Sequence, residues 1–137
     1  MTTNIDGKIW LSLLSRINQW TETPVMMPDT VFNPTAAQAY LIVQPVNLAT
    51  DDRTIQFNCG DEFRGLLNIS VMAPLRWSYS QHVGLAGRVC DWFPAGAVYA
   101  YQDARVTVYS RARSLGAPRL DQSWNRVEVQ VPWRAWG

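Results

Sequence analysis

The chain has 137 residues, a length typical of one domain and sufficient to bury a core without disulfide or metal staples. Its net charge is +1 and its isoelectric point about 7.8, so it carries no global electrostatic footprint for nucleic acid or for an anionic membrane. No apolar run approaches the roughly 18 residues that a bilayer span requires, and the start, MTTNIDGKIW, lacks the charged and apolar regions of a secretion signal.

Apolar residues make up 47% and charged residues 17%, whereas about 25% charge is usual. Seven Trp, five Tyr and four Phe accompany twelve basic residues, of which only Lys8 is not Arg. Interfaces favour Trp, Tyr and Arg over Lys and Glu; the codon bias of a GC-rich genome explains the arginines equally well. Cys59 and Cys90 are far apart and make neither a disulfide framework nor a zinc site, a usage suited to a reducing cytosol.

In chain order, residues from about 4 to 20 predict a helix. Ile9, Leu13, Ile17 and Trp20 recur at helical spacing, Trp10 and Leu14 widen the stripe, and Asn4 or Asp6 can cap the start. Pro24, Pro28 and Pro34 make 21–38 an extended connection. Tyr40–Val46 predicts a strand, 47–53 a polar turn, 54–58 a short alternating strand and 59–62 a second turn. From Phe63 to Met72 the pattern predicts a long strand with Phe63, Gly65, Leu67, Ile69 and Val71 on one face.

Ser78 and Gln81 form a capping-box pattern that opens a second helix. Tyr79, Val83, Ala86, Cys90 and Phe93 make its apolar stripe; Gly84 and Gly87 lie off it, which allows close packing against a sheet or another chain. Short strands at 98–101 and 105–110 follow. The segment RARSLGAPRLDQS, 111–123, reads as a loop because of Gly116 and Pro118. Val127–Trp133 closes the chain as an alternating strand with Val127, Val129, Val131 and Trp133 inward. The order helix, strands, helix, strands predicts a single α+β domain over 1–137, with an antiparallel or mixed sheet of about five to six strands and two helices packed on one face.

The chemistry is sparse. His82 is the only histidine and is read as a surface or interface residue near the start of the second helix; without a second His, neither a zinc site nor a histidine-assisted nucleophile is supplied. The pairs Asp51-Asp52 and Asp61-Glu62 could hold metal or do acid/base work, but in turns such pairs mostly keep the chain solvated. Gly84-Leu-Ala-Gly87 is no phosphate loop, and no GxSxG, HExxH or CxxC motif occurs. No catalytic, cofactor or metal residue is assigned. Arg111, Arg113 and Arg119 cluster on the 111–123 segment, with Trp124 at its exit. They suit contact with nucleic-acid phosphate, contact with a protein partner, or a solvated loop.

The run RGLLNISVMAPLRWSYSQHVGLAGRVCDWFPAG, followed by ARVTVYSRAR and SWNRVEVQVPWRAW, resembles the tail terminator family of long-tailed bacteriophages, and especially tail-terminator-like domains. The upstream helix and the Pro-rich lead into YLIVQPV extend the resemblance over most of the chain. The resemblance implies an α+β subunit that joins five copies of itself in a ring, a structural part of the virion made in the bacterial cytoplasm. Such rings cap the tail tube at its head-proximal end, stop its polymerisation and give the head–tail connector a surface to join. The family brings no catalytic residue and no cofactor. With the resemblance, the 111–123 segment is expected at the ring lumen or the tube contact, and Arg111, Arg113, Arg119 and Trp124 are its candidate interface residues. The alternative function is a small nucleic-acid-binding module that uses the 111–119 arginines; near-neutral charge argues against it.

Overall fold

The structure is a computed structural model that describes residues 5–27, 38–51, 62–101, 104–121 and 124–136. Helix α1 (Ile5–Ile17) leads through a two-residue strand β1 (Val25–Met26) into two long strands, β2 (Tyr40–Asp51) and β3 (Glu62–Pro74). Helix α2 (Tyr79–Trp92) then crosses to β4 (Val98–Tyr101), β5 (Ala104–Val108), β6 (Arg113–Asp121) and β7 (Trp124–Trp136). The sheet runs β1-β2-β3-β7-β5-β4, with β6 added on β7. Among the described residues only β1 with β2 is parallel. This is an α+β fold with two helices and a curled mixed sheet.

β7 organises the sheet. One of its edges pairs with β3 along the full length, from Pro74↔Trp124 to Glu62↔Trp136. Its other edge is shared: β6 takes Trp124 to Gln130, and β5 takes Trp133 to Trp136. Directly paired residues share a face. Leu67↔Val131, Ile69↔Val129 and Val71↔Val127 therefore build the apolar face, and all six side chains are buried. Leu41 and Val43 continue it on β2, Val106 and Val108 on β5.

Both helices lie on that face. Ile9, Leu13 and Ile17 of α1 and Leu85, Ala86, Val89 and Cys90 of α2 join the strand residues in one core cluster. The capping box forms: Gln81 N–H donates to Ser78 Oγ at 3.2 Å, and Ser78 N–H donates to Gln81 Oε1 at 2.9 Å. The helix ends are clamped together. Arg16 Nε donates to the Trp92 carbonyl at 2.9 Å, Trp92 Nε1 donates back to the Arg16 carbonyl at 3.1 Å, and the guanidinium lies 3.8 Å from the Trp92 ring centroid. Trp20 meets Trp92 edge-on at 5.4 Å. Trp10, Trp20, Trp77 and Trp92 thus pack against the core and Trp133 lies inside it. Most of the described tryptophans serve the chain's own fold rather than an interface.

Four expectations are corrected. The 111–123 segment is not a loop: Arg113–Asp121 is strand β6. Its ladder is irregular between Leu115 and Arg119, so Gly116 and Pro118 fall in a bulge, where a missing donor costs least. The turn placed at 47–53 is strand as far as Asp51, with a register shift between Asn47 and Ala49. The 54–58 strand and the turn residues 59–61 lie outside the described residues; Glu62 already belongs to β3.

The third correction concerns α2, which rotates its buried stripe. Tyr79 is 64% exposed and Val83 37% exposed, while His82, Leu85, Ala86, Val89 and Cys90 are buried. The fourth is His82 itself, which is a core residue, not a surface one. A carbonyl can only accept, so Nε2 carries a proton and donates to the Val71 carbonyl at 2.7 Å. Such a bond makes a buried polar ring tolerable.

Candidate interaction surfaces

The helix-distal face of the sheet carries the polar side chains. Register puts Gln44, Asn68, Gln130 and Arg113 in one row across β2, β3, β7 and β6. The next row toward the Pro74 end of β3 holds Ser70 opposite Glu128. Arg126 Nε meets Glu128 Oε1 at 2.6 Å and Nη2 donates to Ser70 Oγ at 2.9 Å. Ser70 Oγ in turn lies 3.0 Å from Glu128 Oε2. Ser70 is buried and bridges two partly covered charges. This cluster ties β3 to β7 from residues more than fifty positions apart, so only the register reveals it.

The arginines singled out in the sequence do not converge. Arg111 is exposed just before β6. Arg113 opens β6 opposite Gln130, and Arg119 sits opposite Arg126 beyond the bulge. Their partners on β7, Gln130 and Arg126, stand four positions apart, roughly 13 Å at the usual rise. Trp124 begins β7 and stacks edge-on against Tyr40, centroids 5.0 Å apart.

Arg111 and Arg113 instead meet α2. With Gly87, Cys90, Asp91, Ala112 and Ser114 they line an open cleft of about 510 Å³. A methyl group added at Gly87 would touch nothing within 4 Å. No packing inside the chain therefore demands glycine here, although glycine weakens a helix interior by about 1 kcal/mol relative to Ala. Burial pushes the Cys90 thiol above its ordinary value; Asp91 adds to this and Arg111 opposes it. The thiol therefore stays protonated near neutral pH and is a poor nucleophile. Among the described residues no three His, Cys, Asp or Glu side chains gather as metal ligands.

Among the described residues, the large apolar side chains left exposed lie in two places. Leu75, Tyr79 and Val83 lie at the N-terminal end of α2; Val98 and Tyr109 lie by the β4 side of the sheet. Arg134 approaches the Tyr109 ring at 5.9 Å.

Comparison with known proteins follows this geometry. The structure superposes on a solved chain of 21% sequence identity with a TM-score of 0.76, covering 94% of both chains. A chain from the "virion of native gene transfer agent (GTA) particle" gives a TM-score of 0.71 at 18% identity, covering 99% of this chain and 100% of that one. Both share the fold. No curated protein matches the sequence. The family model described as "Phage tail terminator protein" matches residues 8–133, nearly the whole length, including both helices' buried faces and six of the seven strands in full. This chain belongs to the phage tail terminator protein family.

Proposed function

We propose that the chain is the ring-forming terminator of a phage tail tube, acting as a structural subunit rather than an enzyme. The observation that carries this reading is the family match over 8–133, which gives the chain a structural role in the phage tail. In the finer reading, six copies close head to tail at the head-proximal end of the tube, stop its growth and present a surface to the head–tail connector. Two features support it. Two separate exposed apolar groups occur among the described residues, and a head-to-tail contact uses two different patches on each copy. Strand β4 carries no charge, unlike most edges that remain in water.

Light scattering across a concentration series, with negative-stain images, tests the ring. The expected result is a closed species of about six copies, formed alone or on added tail tubes. A strict monomer that binds no tube removes the reading. Arg111, Arg113, Arg119 and Trp124 are assigned to contact with the tube or a neighbour. Replacing the three arginines with Ala should leave the melting curve within about 0.5 kcal/mol of the parent yet weaken tail assembly. Normal tail lengths and normal head joining from that variant would remove the assignment.

A further inference from the structure

Among the described residues, strand β6 is partnered along one edge only. The ladders fix where its backbone groups point. Val108 N–H donates to the Ala97 carbonyl at 2.9 Å, so Val108 turns its N–H and C=O toward β4. By alternation Thr107 turns its own toward Arg134 of β7. β7 runs without a register break against β3, so Arg134, Pro132 and Gln130 all address the edge that β5 and β6 share. Pro132 fits there: it falls between Trp133, a partner of β5, and Gln130, a partner of β6, where its missing donor breaks no ladder bond. Arg113, opposite Gln130, therefore bonds into β7, and Ser114 turns its N–H and C=O outward.

That outward edge opens on the cleft of about 510 Å³ between β6 and α2. Arg111, Arg113 and Ser114 are exposed on one wall, Gly87 and Asp91 on the other. Among the described residues, the side chains of Arg111, Arg113 and Asp91 form no hydrogen bond or ion pair. Arg113 lies on the helix-distal side of β6 and Ser114, opposite Val129, on the helix-facing side. A strand laid along this edge alternates its side chains in the same way. On the helix-distal side they meet Arg113, with Arg111 two residues back. On the other side they meet α2, where Asp91 repels a carboxylate and Gly87 leaves open space.

We propose that this groove takes an extended acidic segment of another protein, added to β6 as a further strand at Ser114. Its carboxylates lie on the arginine side and its uncharged side chains under Gly87. Main-chain bonds supply affinity and the alternate side chains specificity. The cross-strand pair beside Arg113 is of the closer, non-hydrogen-bonded kind, where opposite charges attract. A second copy is a poorer occupant: among the described residues Glu22 is paired with Arg88, Glu128 with Arg126, and Asp91 lies in the cleft itself. The inference rests on the assignment of Arg111 and Arg113 to a partner contact and names the chemistry of that partner.

The probes are capped synthetic peptides that alternate Thr with Glu, Gln or Lys, titrated into the full chain by calorimetry. The Glu peptide is expected to bind at least about tenfold more tightly than the Gln peptide. Ser114→Pro removes the outward N–H and no ladder bond, a change that a strand edge tolerates. Gly87→Leu fills the groove from a helix position with free space. Each should keep the parent melting curve and lose about tenfold or more in affinity, and Arg113→Glu should transfer the preference to the Lys peptide. Where Ser114→Pro fails to fold, Gly87→Leu alone decides. No binding of the Glu peptide, equal binding of the Gln peptide, or binding untouched by these variants overturns the proposal. So does tighter binding of a single-stranded oligonucleotide that they abolish, because the ligand is then phosphate. Self-association of the parent that they abolish overturns it too, because the occupant is then a second copy. If the groove fails while the triple arginine variant still weakens tail assembly, the partner assignment stands and only its chemistry falls. If that variant also assembles normal tails, both fall.

Discussion

Val129→Asp leaves the chain without a cooperative fold. Val129 is completely buried, stands opposite Ile69 on the helix-facing side and belongs to the central strand of the sheet. An aspartate there either ionises without a partner in the core or remains protonated with no hydrogen-bond partner in an apolar site; both are expensive. The lost packing adds to this. Together they amount to about 4–5 kcal/mol or more, comparable with the whole stability of many domains. The measurement is far-UV circular dichroism with thermal melting of whatever remains soluble. Gln130→Asp is the control: one residue along, it lies on the opposite face, partly exposed and across from Arg113, and should melt cooperatively near the parent temperature. If both variants melt alike, the assignment of faces is wrong.

That control pair also shows why the last strand was legible in the sequence. Val127, Val129, Val131 and Trp133 alternate with polar residues, and the core takes one set whole. The Ile9, Leu13 and Ile17 stripe of α1 is buried as well, and so are Leu67, Ile69 and Val71 of β3, although Phe63 is only partly covered and Ser70 and Met72 of the opposite set are buried too. The capping box at Ser78 was legible because its two bonds are local. Misreadings arose where a non-local contact overrode residue type. His82 looked wet, yet the Val71 carbonyl, eleven residues upstream in another element, accepts from its Nε2, while Nδ1 is buried without a partner. Once His82 takes an inward position, Tyr79 and Val83 rotate outward. Gly116 and Pro118 signalled a loop correctly in chemistry but not in outcome, since a bulge on a strand paired along one edge accommodates both.

The candidate surface was less legible than the fold. Arg111, Arg113 and Arg119 are close in sequence, but strand geometry spreads them. Arg105 and Arg134, apart in sequence, are drawn onto neighbouring rows by β7. Residue type alone marks a basic cluster; only the register shows that Arg105 and Arg134 share one end of the sheet.

Gly65→Ala should cost about 3 kcal/mol, at the upper end of overpacking effects. Gly65 lies on the helix-facing side of β3, opposite Trp133 on one neighbour and Asn47 on the other. A methyl group there would sit 2.8 Å from Trp133 Cε2 and closer still to Cζ2 of that ring and to the Val46 carbonyl oxygen. The need for glycine is thus one of space, not of backbone angle. The ring cannot move aside freely, because Trp133 is buried within the core cluster. One of the obstructing atoms is backbone, so a rotamer change cannot relieve the whole clash. In a chain of this size the loss corresponds to a fall in melting temperature on the order of 10 °C. Trp133→Phe supplies the diagnostic partner. Alone it trims buried volume and should destabilise by about 1–2 kcal/mol, offset in part because Trp133 Nε1 is buried without a hydrogen-bond partner. Combined with Gly65→Ala it relieves the part of the clash that the indole makes, while the contact with the Val46 carbonyl oxygen remains. The double variant should therefore be more stable than the sum of the single losses predicts, with a coupling of at least about 1 kcal/mol in a double-mutant cycle. Strict additivity would show that the methyl is absorbed elsewhere and that the indole ring does not hold this position to glycine.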